Sequence, residues 1–353
     1  MARVEGARLA LFAAWALLSG CGNDFDPPSE ISGLRVLSVR AEPASGTPGS
    51  LLRLQMLRAD VARDADVPER QVEVAWLGGC HAPPSRQFFD CYPLLTRLSA
   101  LLEPRVLDTP SERFPPGVFA TGDEFEFEIP RDVLERSPRL ETDPIHFAPS
   151  YLFFAACAGQ LVPRPDLTDR VPLGCVDAES GQPVGNDGFV IGFSTVFTFE
   201  NASNTNPVLE SVRFGGAVVP DLACADDADC QEMAADFEGA LGCSRSGRCA
   251  PVVPPCGEEE CPRTLVSPSI ARSSAEALPG ESHNEVVWVN YYSNAGRFGV
   301  ASQLVNDRAT GWVDDYSSRW HPPRTPTELT LWTTVHDQRG GAAWASFDVI
   351  VRD

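Results

Sequence analysis

The 353 residues contain no lysine; all 28 basic side chains are arginine. A chain without lysine has no Walker-type phosphate loop, no Schiff-base chemistry and no Ser-x-x-Lys acyl transfer. Gly-x-Ser-x-Gly, His-Glu-x-x-His and Gly-x-Gly-x-x-Gly are also missing, and His81, His146, His283, His321 and His336 lie scattered without metal-ligand spacing. No Cys-x-x-Cys pair occurs among the 11 cysteines, so zinc is not expected. Positive charge is scarce too: 28 basic against 49 acidic residues give a net charge of −21. Such a surface repels phosphate, which excludes nucleic acid as a partner. Beyond residue 18 no apolar run reaches the roughly 20 residues that a membrane-spanning helix needs. No cofactor is implied, and an envelope hydrolase is the weakest reading. Asp314-Asp315 alone is no evidence for glycoside hydrolysis in a chain this acidic.

What is present begins with a basic start, Arg3 and Arg8, followed by the uncharged run Leu9–Leu18 (LALFAAWALL). Its ten residues match the apolar core of a secretory signal, where roughly 7–15 is usual. Leu18-Ser19-Gly20-Cys21 then resembles the lipobox of bacterial lipoproteins. The resemblance implies removal of residues 1–20, a diacylglyceryl thioether on Cys21 and an acylated (palmitate-type) amine. Residues 21–32 become a short polar tether to the membrane. Gly22, where some lipoproteins carry a retention aspartate, points to the outer membrane, at its periplasmic face or the cell surface.

Removing Cys21 leaves ten cysteines, an even number in an exported chain, and five disulfides are expected. The candidates are Cys80, Cys91, Cys157, Cys175, Cys224, Cys230, Cys243, Cys249, Cys256 and Cys261. Cys80 and Cys91 are near enough to staple the start of a long excursion between strands, Gly78 to Gly122. Within it Leu94, Leu95, Leu98, Leu101 and Leu102 fit one face of a short helix laid over a sheet.

Alternation with period two dominates residues 33–200. Val72, Val74 and Trp76 share one face, as do Phe125, Phe127 and Ile129, with Glu124, Glu126 and Glu128 opposite. Phe189, Ile191, Phe193, Thr195, Phe197 and Phe199 repeat the pattern, which is expected of strands with one buried face. With Leu34–Arg40, Leu51–Leu57 and Tyr151–Cys157, six or seven short strands predict an antiparallel sandwich. The polar run 201–206 (NASNTN) is read as a linker. Strands resume at Pro207–Phe214 and again at Glu285–Tyr292, Glu328–Val335 and Ala342–Val351, with Asp337-Gln338-Arg339-Gly340-Gly341 as a hairpin turn. The predicted fold is therefore all-β: two sandwich domains, 33–200 and 207–353, the second with a disulfide-rich insert over 222–262.

The strands and terminal hairpin of the second domain resemble bacterial Ig-like or PKD-like repeats. The first domain resembles Ig-like modules also, but departs from antibody domains. Leu51–Leu57 has no cysteine to pair with Cys157, and Tyr151 precedes Cys157 by six residues. Cys157 is instead expected to bond Cys175 within a hairpin loop. The first four cysteines of the insert, with Ala225–Asp229 and Gly247-Arg248, resemble short Cys-rich modules of bacterial surface proteins. Its six cysteines allow 15 connectivities. Asp226, Asp227 and Asp229 offer carboxylates to calcium, but Glu232 stands where an EF-hand loop needs glycine, and a solvated acidic loop is the alternative.

Between Val305 and Pro323, Trp312, Tyr316 and Trp320 stand among Asp307, Asp314, Asp315 and His321. Aromatic rings beside carboxylates are a sugar-binding pattern, and equally the packing of a long loop onto a sandwich. The expected function is a lipid-anchored envelope protein that binds or scaffolds, with membrane and possible envelope-protein or polysaccharide partners. A carbohydrate-binding surface lipoprotein using Trp312, Asp314, Asp315, Tyr316 and Trp320 is the alternative.

Overall fold

The structure, a computed structural model, describes residues 27–61, 70–99, 114–141, 143–164, 166–167, 170–233, 237, 239–256, 262–277 and 283–353. Cys21, Leu101, Leu102 and Cys261 lie outside these residues.

The N-terminal half contributes β1 (Arg35–Glu42), β2 (Ser45–Gly46), β3 (Leu51–Ala59), β4 (Glu73–His81), β5 (Phe119–Thr121), β6 (Glu124–Glu128), β7 (Phe147–Cys157), β8 (Gln160–Pro163), β9 (Leu173–Val176) and β10 (Phe189–Phe199). β1-β3-β6 form one sheet and β2-β10-β7-β4-β5 the other, with β8-β9 a separate hairpin. Between the two sheets lie Leu52, Leu54, Val74, Trp76, Phe125, Phe127, Ile129 and Leu152, all buried. Fully burying a side chain of this kind contributes about 1.5–3 kcal/mol, so this layer supplies the main drive to fold the half. Trp76 stacks on Phe125 at 5.7 Å and meets the edge of Phe154 at 5.5 Å. Its indole N–H donates to the Gly122 carbonyl at 2.8 Å, so burying the ring leaves no polar atom unpaired.

The alternating row on β10 does not point into this core. Val196 and Thr198 are the inward, buried positions. Ile191 and Phe193 stand on the outer face, 41% and 42% exposed. The outer face of the same sheet carries a second apolar layer: Ala75, Leu77, Tyr151, Phe153, Ala155 and Cys157. Helix Tyr92–Ser99 covers part of it through Leu95 and Leu98. Cys80–Cys91 staples the approach to that helix, and Cys157–Cys175 ties β7 to the β8–β9 hairpin. β7 is consequently buried on both faces from Ala148 to Cys157. A two-residue period reports that one face is apolar. It does not report which face looks inward when a helix and a hairpin also cover the outside.

The C-terminal half adds β11 (Leu209–Phe214), β12 (Ala217–Val218), β13 (Ala240–Cys243), β14 (Cys249–Val253), β15 (Thr264–Ile270), β16 (Val287–Ser293), β17 (Arg297–Phe298), β18 (Ser302–Asp307), β19 (Gly311–Trp312), β20 (Ser318–His321), β21 (Thr327–Asp337) and β22 (Ala342–Val351). Sheet β12-β11-β15-β20-β17 faces sheet β13-β14-β22-β21-β16-β18-β19. Between them pack Phe214, Val266, Val289, Tyr291, Trp320, Leu331 and Val349.

Both halves follow one plan. The first strand (β1 or β11) pairs in the smaller sheet. The chain then crosses, and a short strand (β2 or β14) runs parallel to the last one, β10 or β22. In immunoglobulin letters the order is A-B-E against A′-G-F-C-C′, so each sandwich is Ig-like by its own topology. Only Pro43 and Ala44 separate β1 from β2. In the second sandwich the disulfide-rich insert fills the same crossing. It is held by Cys224–Cys243 and Cys230–Cys249, a first-to-third and second-to-fourth pairing. Cys256 is disulfide-bonded as well.

The two sandwiches touch along the length of β1. Ile31, Leu37 and Ala59 form a small buried cluster with Tyr292 and Trp332 of the second half. Further along, the Arg40 guanidinium lies 4.7 Å over Trp344. Residues of the polar run 201–206 bond to both sides. Asn206 donates to the Ala41 carbonyl at 2.8 Å and accepts from the Ala342 amide at 3.0 Å. The buried Asn204 donates to Asp337 at 3.1 Å, and its amide bonds Ser45 at 2.7 Å.

Candidate functional site

The stretch singled out for sugar binding is not one surface. Trp320, on β20, is fully buried; its ring centroid lies 6.0 Å from that of Phe214, and its N–H donates to the Ala295 carbonyl at 3.3 Å. Trp312 and Tyr316 are half-buried and meet edge to face at 6.2 Å. The Arg272 guanidinium stands 5.2 Å from the Trp312 ring, on a face that a sugar would need. Tyr291 donates its hydroxyl to the Tyr316 carbonyl. Asp314 is exposed, and Asp315 caps a turn, accepting from the Ser317 amide at 3.0 Å and hydroxyl at 2.6 Å. The Ser317 bonds hold the Asp315 carboxyl below its ordinary range. The segment packs a loop onto the sandwich, because the alternate residues Ser318 and Trp320 of a strand must face inward.

The three aspartates of the insert are likewise committed to local bonds. Asp226 accepts from the Ala228 and Asp229 amides at 2.9 and 3.2 Å, at the start of the helix Asp227–Met233. Asp229 accepts from the Ala225 amide at 2.8 Å. Asp227 accepts from the Cys243 amide and from Arg352, both at 2.8 Å, and these bonds lower its pKa. The sulfurs of Cys224, Cys230 and Cys249 lie within 4.8 Å of one another, but all three are in disulfides and offer no thiolate to a metal. Asp227–Arg352 and Ser244–Asp348 (2.8 Å) tie the insert to the end of β22.

Two arrangements were not legible in the sequence. The first is a serine–histidine pair, with Nδ1 of His81 2.9 Å from Oγ of Ser150. Ser150 is fully buried on β7, and the half-buried His81 ring stacks on Phe127. Burial, aided by the charge of Arg136, lowers the His81 pKa to about 4. The second is a buried ionic cluster around Arg339 in the β21–β22 turn. The guanidinium donates to both Glu285 oxygens at 2.8 Å, to Glu276 at 2.6 Å and to the Ser203 carbonyl at 2.8 Å. Asp337, 2% exposed, lies beside it and accepts from the Arg339 and Gly341 amides. Burial raises the pKa of Glu285, against the pull of Arg339, and burial also raises that of Asp337. A turn reading of Asp337–Gly341 is right about the chain path but carries no sign of these partners, which are far away in sequence.

The surface feature that stands out is aromatic. Phe193 stacks on Phe88 at 4.6 Å, Phe88 meets Phe89 and Tyr92 edge to face, and Phe89 is 50% exposed. Together with Ile191 these rings form an apolar face on the outside of the first sandwich.

No protein-family model and no curated protein matches the chain. Among solved structures, the chain is similar to the fibronectin(III)-like modules of Clostridium thermocellum CbhA, at 8% identity and a TM-score of 0.20, covering 90% of this chain and 94% of that one. It is also similar to the D0-D1 domain of Intimin, at 8% identity and a TM-score of 0.19, covering 90% and 99%. The strand order makes the chain an all-β protein of paired Ig-like sandwiches.

Proposed function

We propose that the protein is a lipid-anchored component of the bacterial cell envelope with a non-catalytic binding or scaffolding role. The observation that carries this reading is the N-terminal run ending in Leu18-Ser19-Gly20-Cys21. The disulfides support it, since all nine cysteines among the described residues are disulfide-bonded, and such bonds persist in exported proteins. Paired sandwiches with a stapled insert supply surface and rigidity, and Ser150 of the His81–Ser150 pair is fully buried. The location is the outer membrane, and the partners are other envelope components.

Mass spectrometry of the mature N-terminus tests the anchor. The expected species begins at Cys21 and carries the mass of a diacylglyceryl group and an amide-linked acyl chain. An unacylated chain beginning elsewhere, or a Cys21→Ala chain that stays with the membrane, overturns the reading. Cross-linking in intact cells then identifies what the sandwiches hold.

A further inference from the structure

Resting on the binding role in that reading, though not on its anchor, we infer that the second sandwich takes an extended peptide as an added strand on β22, with the peptide's C-terminal carboxylate at Arg40. On one side β22 pairs with β21 along its whole length, while on the other β14 reaches only Ile350 and Val351. Pro251 of β14 has no N–H with which to carry that pairing further. The backbone of a strand turns its N–H and C=O to alternate sides, and the Ala342 amide, turned away from β21, donates to Asn206 at 3.0 Å. Trp344, Ser346 and Asp348 turn theirs the same way, and no backbone group among the described residues meets them. Such a row is a template for another strand.

A groove of about 730 Å³ runs beside this edge, between β22 and Leu209–Val212 of β11. Leu209, Val219, Ala345 and Phe347 pack on the core of the sandwich yet are only half-buried, so alternate side chains of an added strand find an apolar floor. Ser246 and Arg248 of the insert bound one end of the groove. At the other end Leu209 and Trp344 also line a cavity of about 470 Å³ at the junction, where Glu42, Pro43 and Ala44 of the first sandwich stand. A strand arriving there meets the first sandwich and ends.

Charge sets its direction. Arg40 lines that cavity with its guanidinium over Trp344. Gln55 is its hydrogen-bond partner, its buried Nε has none, and no carboxylate pairs with it among the described residues. Glu42 is engaged by the Asn206 amide at 3.1 Å. A peptide antiparallel to β22 brings its C-terminus beside Trp344, where its carboxylate meets the unpaired guanidinium.

The test selects binders of the full mature chain from a library of short random peptides displayed with free C-termini. Selected peptides are expected to slow amide exchange at Trp344, Ser346 and Asp348. Amidating their C-terminus, or Arg40→Gln in the protein, should weaken binding by about tenfold, as the loss of a charge-assisted hydrogen bond implies. Ser346→Pro removes an edge N–H without breaking a bond to β21 and should abolish binding. The amidation arm needs no variant, so a misfolded variant does not shield the proposal. A library that yields no binder, binders that protect other amides, or amidated peptides that bind equally well overturn it. Protection of the same three amides on concentrating the protein alone assigns the edge to a second copy and overturns it too. None of these outcomes touches the anchor, which the mass of the mature N-terminus decides separately.

Discussion

Single side chains separate what belongs to the core from what belongs to the surface. Trp320→Ala removes a fully buried ring and is expected to cost about 3–5 kcal/mol in a denaturant titration. Trp312→Ala removes a half-buried one and should cost well under half as much. Equal losses would contradict the placement of Trp320 in the core. Two histidines set a pH dependence. Burial lowers the pKa of His81 and of His336 to about 4, against 6.5 for an exposed imidazole. The folded protein therefore binds these protons less readily than the unfolded chain. The stability the two histidines contribute is complete above pH 6.5, is lost as pH falls from 6.5 to about 4, and then levels off. The loss is at most about 3 kcal/mol for each ring. Glu285 and Asp337, whose pKa values are raised, act in the opposite sense and gain stability as acid neutralises them. Unfolding free energies of the parent and of His81→Gln/His336→Gln across this range should diverge, with the variant showing the flatter profile. A parent whose loss equals the variant's would sink the assignment.

At the level of elements, the strands were legible and their surroundings were not. Phe125, Phe127 and Ile129 face the core as their alternation requires, and helix Tyr92–Ser99 covers a sheet through Leu95 and Leu98 as its leucines imply. The β10 row faces outward because the alternation signal is symmetric between the two sides of a sheet. Trp312 lies on β19 and Trp320 on β20, and it is the register of β20 against β15 that turns Trp320 into the core. In the insert, six cysteines gave no connectivity, since pairing depends on how β13 meets β14. The two bonds found there close loops of similar length, with separations of 19 residues each. Replacing Cys230 and Cys249 together by alanine should cost about 2–4 kcal/mol, concentrated in the insert. Limited proteolysis should then cut first within 222–249 while both sandwiches survive. Simultaneous loss of the sandwiches would show that the insert is part of their folding unit.

For the molecule as a whole, the junction decides how the halves move. The polar run 201–206 has the composition of a flexible linker, but composition does not reveal that Asn204, Thr205 and Asn206 all find partners across the junction. Arg339 is the central member, joining Ser203 to Glu276 and Glu285. Arg339→Met leaves three neighbouring carboxylates without their cation, and a loss of about 3–5 kcal/mol is expected. Amide exchange at residues 203–206 should accelerate in the variant while exchange in β7 stays slow. Unchanged exchange at the linker would mean that the apolar cluster at Leu37 and Trp332 holds the halves by itself.

The shared crossing between the first strand and the strand beside the last one has a consequence for protein engineering. Nature has placed a whole stapled module there in one sandwich and two residues, Pro43 and Ala44, in the other. The two crossings are therefore interchangeable sockets. A chimera carrying a foreign loop between β1 and β2, or a short bridge in place of residues 222–248, would keep every long strand pairing and change only the cargo.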